Sequence, residues 1–476
     1  MTPYSESQLA FLSIEQAAQL LRRKEISPVD LVEASLARIE RWNPSLNAFL
    51  TVLAESARRQ AKVAERGIRR GRARGPLHGI PISLKDNFWT RGIRTTVGSK
   101  ILADFVPNAD SDVAGKISRA GAILLGKTNM HEFAYGITGE NPHYGSSRNP
   151  WARDRISGGS SGGSAVAVST GMGFASVGTD TGGSIRIPSA LCGVVGFKPT
   201  FGRVSCQGIV PLAASFDHVG PLARTVLDVA IVLHIIAGYD SRDGGSARRS
   251  VPNYPALLKK RLGRLRLGVP KQFYFEALDE EVRTAIDTAI QCLQKLGASV
   301  QEVSLPHVAE SSEPSAQAAF AEATSYHQLA GYFPERADEY GEDVRERLEL
   351  GAKVLATDYL KAFAIIKMVR QDFEDAFASV DAILAPTVPI PAPRTRVRMV
   401  EINSHVEPVR LALIRLNRAQ NVTGLPAISV PCGFTRTGLP IGMQIIGRAF
   451  DEPTVLRLAH AYEEATQWHL LRPGEV

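Results

Sequence analysis

The chain has 476 residues, of which 44% are hydrophobic and 22% are charged. This composition is typical of a globular protein and excludes a disordered, collagen-like or coiled-coil chain. Lysine and arginine together number 55 against 48 aspartates and glutamates, a formal net charge of +7. Spread over a surface of this size, that charge is too weak to indicate a nucleic-acid-binding protein.

The four cysteines are not spaced like zinc ligands, and we expect them to be reduced thiols in the core: Cys192, Cys206, Cys292 and Cys432. The first residues lack the basic and apolar stretches of a signal peptide. No apolar stretch reaches the length of a membrane span. These patterns predict a cytoplasmic protein without a membrane partner, and no metal ion or cofactor is expected.

Residues 1–75 are predicted to form an N-terminal helical region. Ser27, Pro28 and Asp30 supply the cap, the first-turn proline and the early acid of a helix, and an apolar stripe at helical spacing follows them. A second helical stretch, 57–74, is rich in arginine but has no interleaved aromatic residues, which favours a solvated surface helix over an RNA-binding one.

Residues 76–237 are predicted to form the catalytic core. Short apolar runs at 80–84 and 123–125 flank a helical pattern at 112–120, and strands that alternate with helices indicate an α/β sheet. Residues 157–196 contain eleven glycines and eight serines. So many small residues are unusual inside a helix or strand, so we expect sharp bends or a close approach to a ligand there.

Two regions complete the chain. Residues 238–380 are predicted to be a variable helical region, part of which caps a pocket. Residues 381–476 contain further apolar runs and a closing helical pattern, and are predicted to complete the sheet.

Three polar residues stand where a simple fold would not place them. Lys85 ends an apolar run that is predicted to be a buried strand, while Ser160 and Ser184 lie in the glycine-rich stretches GGSSGGSA and GTDTGGSIRIP. A lone lysine in this position can simply reach solvent. A buried lysine, in contrast, loses its charge because desolvation lowers its pKa, and can then act as a general base.

The loop around Ser160 also resembles two other functional motifs. Residues 158–162 match G-x-S-x-G, the nucleophile motif of α/β-hydrolases, but that motif follows a strand and residues 149–157 have no strand pattern. A phosphate-binding loop needs a lysine directly after its last glycine, whereas Ser164 follows Gly163. Both alternatives are therefore disfavoured.

The motifs GIPISLKDN, GGSSGGSA and GTDTGGSIRIPSALCGVVGFKPT resemble the amidase signature family. The resemblance covers nearly the whole chain and includes GLPAISVPCG and LPIGMQIIG near its end. It implies a Ser/cis-Ser/Lys triad of Ser184, Ser160 and Lys85, with a cis peptide bond between Gly159 and Ser160. It also implies that residues 1–476 form a single α/β domain, with a mixed, mostly parallel sheet covered by helices on both faces.

In such a triad, neutral Lys85 accepts a proton from Ser160, which accepts one from Ser184, and the Ser184 oxygen attacks the carbonyl carbon of an amide. The backbone N–H groups expected to form the oxyanion hole are those of Thr181, Gly182, Gly183 and Ser184. Asp180 and Arg186 flank the nucleophile and are expected to hold its loop by hydrogen bonds. The resemblance places Met130, His131 and Tyr135 in the substrate pocket.

The predicted function is hydrolysis of a small-molecule amide, with esters and carbamates left open as substrates and a homodimer left open as the assembly. The family also includes the glutamine-hydrolysing component of tRNA-dependent amidotransferases, which would add partner subunits and a nucleic acid. In that component, an acidic residue upstream of the counterpart of Gly424 holds the amino group of glutamine, and Ile414 stands at that position here, so the stand-alone amidase is favoured. A non-catalytic binding protein is disfavoured because all three triad residues are present.

Overall fold

One eleven-stranded sheet organises the computed structural model, which describes residues 4–258, 263–270 and 272–474. Two further strands form a separate ribbon. The strands are β1 (Phe49–Val52), β2 (Pro81–Lys85), β3 (Ile123–Thr128), β4 (Ala175–Asp180), β5 (Val195–Lys198), β6 (His218–Ala223), β7 (Arg266–Pro270), β8 (Ser299–Val303), β9 (Ala382–Pro386), β10 (Met399–Ile402), β11 (His405–Pro408), β12 (Ala427–Phe434) and β13 (Pro440–Ile446).

Helices cover the sheet and form its N-terminal flank. They are α1 (Glu6–Ala10), α2 (Ile14–Arg23), α3 (Pro28–Leu46), α4 (Ala54–Arg69), α5 (Asp112–Ala120), α6 (Gly162–Ser169), α7 (Arg186–Cys192), α8 (Val226–Ile236), α9 (Tyr254–Leu258), α10 (Glu280–Lys295), α11 (Ser312–Leu329), α12 (Glu342–Gly351), α13 (Ala356–Ser379), α14 (Val409–Val422) and α15 (Glu452–Ala465). Within the described ranges, none of the helices combines the length and the apolar character that crossing a membrane requires.

The sheet is mixed, as predicted, and the single α/β domain is confirmed. Its strand order is β1-β3-β2-β4-β6-β5-β12-β13-β9-β7-β8. Among the described residues, four neighbouring pairs are parallel and six are antiparallel. The prediction of a mostly parallel sheet is therefore wrong. The strands β6, β5, β12 and β13 are neighbours in that order, and each pair is antiparallel.

Local sequence signals account for the helix boundaries that the sequence predicted. The side chain of Ser27 accepts a hydrogen bond from the backbone of Asp30 at the start of α3, and Gly121 ends α5 in the left-handed conformation. The boundaries of the four predicted regions stay predictions, and residues 259–262 and 271 of the variable helical region lie outside the described residues.

The glycine- and serine-rich segment 157–196 is more regular than its composition predicts. It contains α6, β4, α7 and the beginning of β5, all of them buried. Its small residues allow tight packing instead: a Cβ on Gly163 would lie 2.4 Å from the Ala48 carbonyl oxygen and 2.6 Å from that of Asn129.

The strand order brings three loops to one edge of the sheet. β2 and β4 are parallel neighbours, so both end at this edge, where Lys85 and Asp180 are their last residues. β6 is antiparallel to β4 and begins opposite Asp180 with His218. The ends of β2 and β4 and the start of β6 therefore place their polar side chains together.

Candidate active site

Lys85 is fully buried at this edge. Its side chain has no exposed surface, and its Nζ lies 2.7 Å from both Ser160 Oγ and Thr179 Oγ1. The Thr179 hydroxyl also accepts a hydrogen bond from Asn87 Nδ2 at 3.2 Å. The amine is thus held by two hydroxyls, and neither of these contacts is an ion pair.

Burial lowers the pKa of Lys85 to about 7. The cause is the loss of hydration, which penalises the ammonium form, while the negative charges of Asp217 and Asp180 raise the pKa and offset part of that effect. Burial also raises the pKa of Asp217 to about 6, although the Thr181 hydroxyl and two backbone N–H groups donate to its carboxylate. A large fraction of Lys85 is therefore uncharged near neutral pH.

Ser160 lies where the chain turns sharply before α6. The peptide bond between Gly159 and Ser160 is cis, as expected from the resemblance. The backbone N–H of Ser161 donates to the Ser184 carbonyl oxygen at 3.1 Å, and Ser161 Oγ donates to the Thr179 carbonyl oxygen at 3.2 Å. These bonds tie the Ser160 loop to the Ser184 loop and to β4.

Ser184 differs from Ser160 because it lines a pocket. Its side chain is on the wall of a cavity together with Thr181 and Gly182, while Ser160 is fully buried behind it. Within the described part of the chain, Ser184 Oγ has no hydrogen-bond partner, so the two serine hydroxyls are not bonded to each other in this state.

Asp180 and Arg186 form a fully buried ion pair behind Ser184. Arg186 Nη2 lies 3.0 Å from Asp180 Oδ1 and Nε lies 3.1 Å from Oδ2. Burial alone would raise the pKa of the Asp180 carboxyl, but the charge and hydrogen bonds of Arg186 outweigh it and hold that pKa below its usual range. The carboxylate also accepts hydrogen bonds from the backbone of Gly183 and Ile185. The pair thus shapes the loop that carries Ser184.

The predicted oxyanion hole needs one correction. Gly183 donates its N–H to Asp180 Oδ1 at 2.7 Å, so this group is already used. The N–H groups of Thr181, Gly182 and Ser184 have no acceptor among the described residues. All three belong to residues that line the pocket, so these are the groups left to meet a negative oxygen.

The structure separates the three residues expected in the substrate pocket. Tyr135 lines the cavity, but Met130 and His131 do not. Met130 is packed in an apolar cluster, and His131 Nε2 lies 2.9 Å from Asp343 Oδ2 while its backbone N–H donates to the Ser160 carbonyl oxygen. Both residues are buried outside the pocket wall.

The rest of the pocket wall comes from residues that the sequence analysis did not select. One face of α14 lines it with residues four positions apart, namely Arg410, Ile414, Arg418 and Val422. Opposite them lie apolar residues of α11 and of the loop before β6, including Phe320 and Leu212. The spacing of four was the available signal, since it puts all four side chains on one side of a helix.

Thr179 and Asp217 were also missed. Thr179 directly precedes Asp180 on β4, and the parallel pairing of β2 with β4 brings it beside Lys85. Asp217 precedes β6, which is antiparallel to β4, and reaches the same edge. Their roles depend on strand order, which no local motif reports.

The G-x-S-x-G alternative has no support in this geometry. The residues before Ser160 form no named strand, and its hydroxyl is bonded to Lys85. His131 is paired with Asp343, and His218 Nδ1 contacts the Phe216 carbonyl oxygen. The described histidines therefore do not provide a base for Ser160.

Comparison with known proteins identifies the family. The family model described as Amidase matches residues 30–456, which is most of the chain. The chain belongs to the amidase signature family. Its match spans the three loops that meet at Lys85, Ser160 and Ser184.

Individual members of this amidase family resemble the whole chain. A glutamyl-tRNA(Gln) amidotransferase subunit of Carboxydothermus hydrogenoformans is 41% identical and is covered over 99% of its length by 98% of this chain. A crystal structure of an amidase is 38% identical with a TM-score of 0.87, covering 95% of this chain and 99% of that one. The corresponding amidotransferase subunit of Thermotoga maritima is 34% identical with a TM-score of 0.79, covering 96% of each chain.

The Asp180–Arg186 pair leads to a stability prediction for this amidase-family chain. Replacing Arg186 by Met leaves a buried carboxylate without its cation, and we expect a loss of about 3–5 kcal/mol in unfolding free energy. The matched change Arg266→Met breaks an ion pair with Asp381 whose side chains are 48% and 21% exposed, and should lower the unfolding free energy much less, because water screens an exposed pair.

Thermal unfolding of both variants, followed by circular dichroism, measures the difference. The expected result is a much larger fall in the unfolding midpoint for Arg186→Met than for Arg266→Met. Equal falls would contradict the role given to the buried pair.

Proposed function

We propose that this protein hydrolyses the C–N bond of an amide, with Ser184 as the nucleophile, Ser160 as the proton relay and Lys85 as the general base. The observation that supports this most directly is the 2.7 Å contact between Lys85 Nζ and Ser160 Oγ in a site closed to solvent. An uncharged amine in this position can accept a proton from Ser160 through its lone pair, whereas an exposed lysine is protonated.

The hydrogen bonds around Lys85 favour a base over a structural cation. A neutral amine can donate to Thr179 Oγ1, which also accepts from Asn87, and still accept the proton of Ser160. An ammonium would instead need a nearby counter-ion, and no carboxylate lies within ion-pair distance of Lys85 in the described structure. The pKa near 7 lies in the range where a base works best at neutral pH.

The proposed reaction moves one proton along this line. Ser184 turns toward Ser160 and passes its proton to the Ser160 oxygen as the Ser160 proton moves to Lys85, while the Ser184 oxygen bonds to the amide carbon. The negative oxygen of the tetrahedral intermediate would meet the N–H groups of Thr181 and Gly182 and that of Ser184. The C–N bond then breaks as the nitrogen takes a proton from Ser160, which is replenished by Lys85. Water removes the acyl group by the same route.

A second candidate function is the glutamine-hydrolysing component of an amidotransferase. It is favoured by the curated relative at 41% identity, which is named as one subunit of such an enzyme. The chemistry proposed above is common to both functions. What distinguishes them is the ligand that the pocket accepts and the partner subunits that the second function requires.

The pocket wall favours the stand-alone hydrolase. Ile414 packs against the oxyanion loop, since a Cβ on Gly182 would lie 3.0 Å from Ile414 Cδ1. No carboxylate belongs to the lining residues, which include two guanidinium groups instead, those of Arg410 and Arg418. The ammonium group of glutamine would therefore lack a counter-ion and face positive charge.

Substitution of the triad tests the proposed chemistry. Ser184→Ala and Lys85→Ala should each lower kcat/KM for an amide by a factor of about 1,000 or more, because the nucleophile or its base is lost. Ser160→Ala should have an effect of similar size. The measurement is amine release by purified, folded variants.

A control for these variants lies in the first turn of α6, directly after the Ser160 loop. Ser164 is also buried, but its hydroxyl is bonded to Thr128 Oγ1 at 2.7 Å and not to Lys85, so Ser164→Ala should keep kcat/KM within about tenfold of the unsubstituted protein. Substantial activity in Ser184→Ala or Lys85→Ala would rule the mechanism out.

The pH dependence of the first turnover tests Lys85 as the base. The pKa of Lys85 is lowered to about 7 and the uncharged form is active, so activity should fall as pH falls through that value, about tenfold per pH unit below it. The burst of amine release, followed by stopped flow, reports the chemical step.

Asp217→Asn provides the internal comparison. The Asp217 charge raises the pKa of Lys85, so removing it should shift the acid limb to lower pH. A first-turnover rate that stays constant from about pH 8 down to about pH 5 would contradict a lysine base.

Glutamine separates the two candidate functions. The chain alone should release little ammonia from glutamine, because the pocket offers its ammonium no counter-ion. The assay compares the chain alone with the chain plus the other components of an amidotransferase. Glutamine hydrolysis that rises strongly when those components are added would favour the second candidate and reject the stand-alone hydrolase.

A further inference from the structure

Two arginines of α14 face the candidate active site without a carboxylate partner. The Arg410 guanidinium makes no hydrogen bond and no ion pair with any residue that the structure describes, and it lies 5.4 Å from the centre of the Phe320 ring. Arg418 is 9% exposed and donates one hydrogen bond, from Nη1 to the Ser312 carbonyl oxygen at 2.6 Å. Most of the N–H donors of these two guanidinium groups are therefore available to a ligand in the pocket.

A third arginine nearby, Arg347, has both an ion-pair partner and a hydrogen-bond acceptor. Arg347 Nη2 lies 2.7 Å from Asp343 Oδ2, and Arg347 also donates to the Tyr135 carbonyl oxygen. Asp343 contacts His131 as well. Asp343 is thus already shared by Arg347 and His131, and neither Arg410 nor Arg418 forms an ion pair with any residue that the structure describes.

The surroundings of Arg410 make this arrangement unfavourable without a ligand. Burial lowers the pKa of Arg410, and the positive charges of Arg347 and Arg418 lower it further. Arginine starts from so high a pKa that it stays charged at neutral pH. An anion that binds in the cavity they line would relieve the repulsion between these partly dehydrated like charges.

The position of the pair relates it to Ser184. Arg410 and Arg418 stand one helical turn before and one after Ile414, and Ile414 packs against Gly182 of the oxyanion loop. A helix rises about 1.5 Å per residue, so each arginine begins roughly 6 Å along the axis from that contact. Ser184 and both arginines line the same cavity, so a ligand in that cavity can meet the nucleophile and a guanidinium together.

We propose that the amide cleaved at Ser184 carries a carboxylate, which Arg410 and Arg418 bind, and that it has no ammonium group beside that carboxylate. This inference rests on the proposed function and specifies its substrate class. A carboxylate suits the site because a guanidinium presents two parallel donors that match its two oxygens. The apolar residues between the arginines and Ser184 suit the methylene chain that joins the two ends.

Three amides of matched length test the proposal. Glutaramate, the monoamide of glutaric acid, has the terminal carboxylate; pentanamide has a methyl group in its place; glutamine has the carboxylate and an adjacent ammonium. We expect kcat/KM for glutaramate to exceed that for pentanamide by about tenfold to a hundredfold, the effect of hydrogen bonds to a charged group. Glutamine should be the poorer of the two carboxylates. Succinamate and adipamate, each beside its uncharged counterpart, cover shorter and longer chains.

Substitution of the arginines assigns the preference to this site. Arg410→Gln removes no native hydrogen bond, so a fall in the ratio of glutaramate to pentanamide of about tenfold or more reports the lost charge. Arg418→Gln should do the same, and Arg410→Lys should restore part of the ratio. The control is Arg415→Gln on the same helix, whose arginine lies 3.4 Å from Glu407 and outside the pocket lining; it should leave the ratio unchanged.

Labelling of Ser184 gives a readout that needs no turnover. Phenylmethanesulfonyl fluoride is uncharged and should label Ser184, as shown by mass spectrometry and by the absence of label in Ser184→Ala. Glutarate should protect Ser184 more strongly than pentane-1,5-diol, and Arg410→Gln should abolish that difference. If none of the amides is cleaved, this experiment decides.

The outcomes keep the two ideas apart. Preference for the carboxylate that disappears in Arg410→Gln supports the substrate class. Equal rates for charged and uncharged amides of every length, or equal protection by glutarate and the diol when nothing is cleaved, would overturn it, as would a preference for glutamine. Hydrolysis or labelling that persists in Ser184→Ala contradicts the proposed function instead.

Discussion

The Lys85 amine lies at the end of β2 with none of its surface in contact with water, and the neighbouring structure is arranged around that burial. An ammonium in such a place loses its hydration, so the uncharged form gains relative stability and the pKa falls. The acidic groups at the same edge limit this fall without forming an ion pair with Lys85. If Asp217 or Asp180 contacted the amine directly, the ammonium would be stabilised and the base would be lost. The separation between these charges matters as much as their presence.

Holding that separation requires a rigid loop, and the Asp180–Arg186 pair supplies it. Arg186 reaches Asn421 Oδ1 at 2.6 Å and Gln444 Oε1 at 3.3 Å, and Asn421 Nδ2 returns a hydrogen bond to the Asp180 carbonyl oxygen at 2.8 Å. These partners are more than two hundred residues away in the chain. The loop that carries Ser184 is therefore braced by the C-terminal half of the protein, and the cost of burying both charges is met by a nearly complete set of hydrogen bonds.

Much of this site could be predicted from sequence because its motifs are local. Lys85, Ser160 and Ser184 each stand in a short run of unusual composition, and the resemblance linked the three runs. Helix α5 matches its prediction because capping and hydrophobic spacing act over a few residues. The strand β4 was missed because its small residues carry no alternating pattern, and the fully buried faces of a central strand do not require one.

Other features depend on distant contacts, which local patterns cannot report. The resemblance implied a mostly parallel sheet, but β5 pairs antiparallel with both β6 and β12, which are distant from each other in the chain. His131 was expected in the pocket, yet it turns toward Asp343, which is 212 residues further on. The free N–H groups of the oxyanion loop could be predicted only in part, since the use of Gly183 by Asp180 depends on where the carboxylate points.

Helix α14 joins two different tasks in one element. On one side, Asn417, Gln420 and Asn421 accept hydrogen bonds from Arg186 and have a structural role. The adjacent side, with Ile414 and the two arginines, lines the cavity. Mutations on this second side can alter which compounds are accepted while leaving the brace behind the nucleophile intact. Proteins with this fold can therefore change their substrate specificity through substitutions at a few positions, four residues apart, on one side of α14.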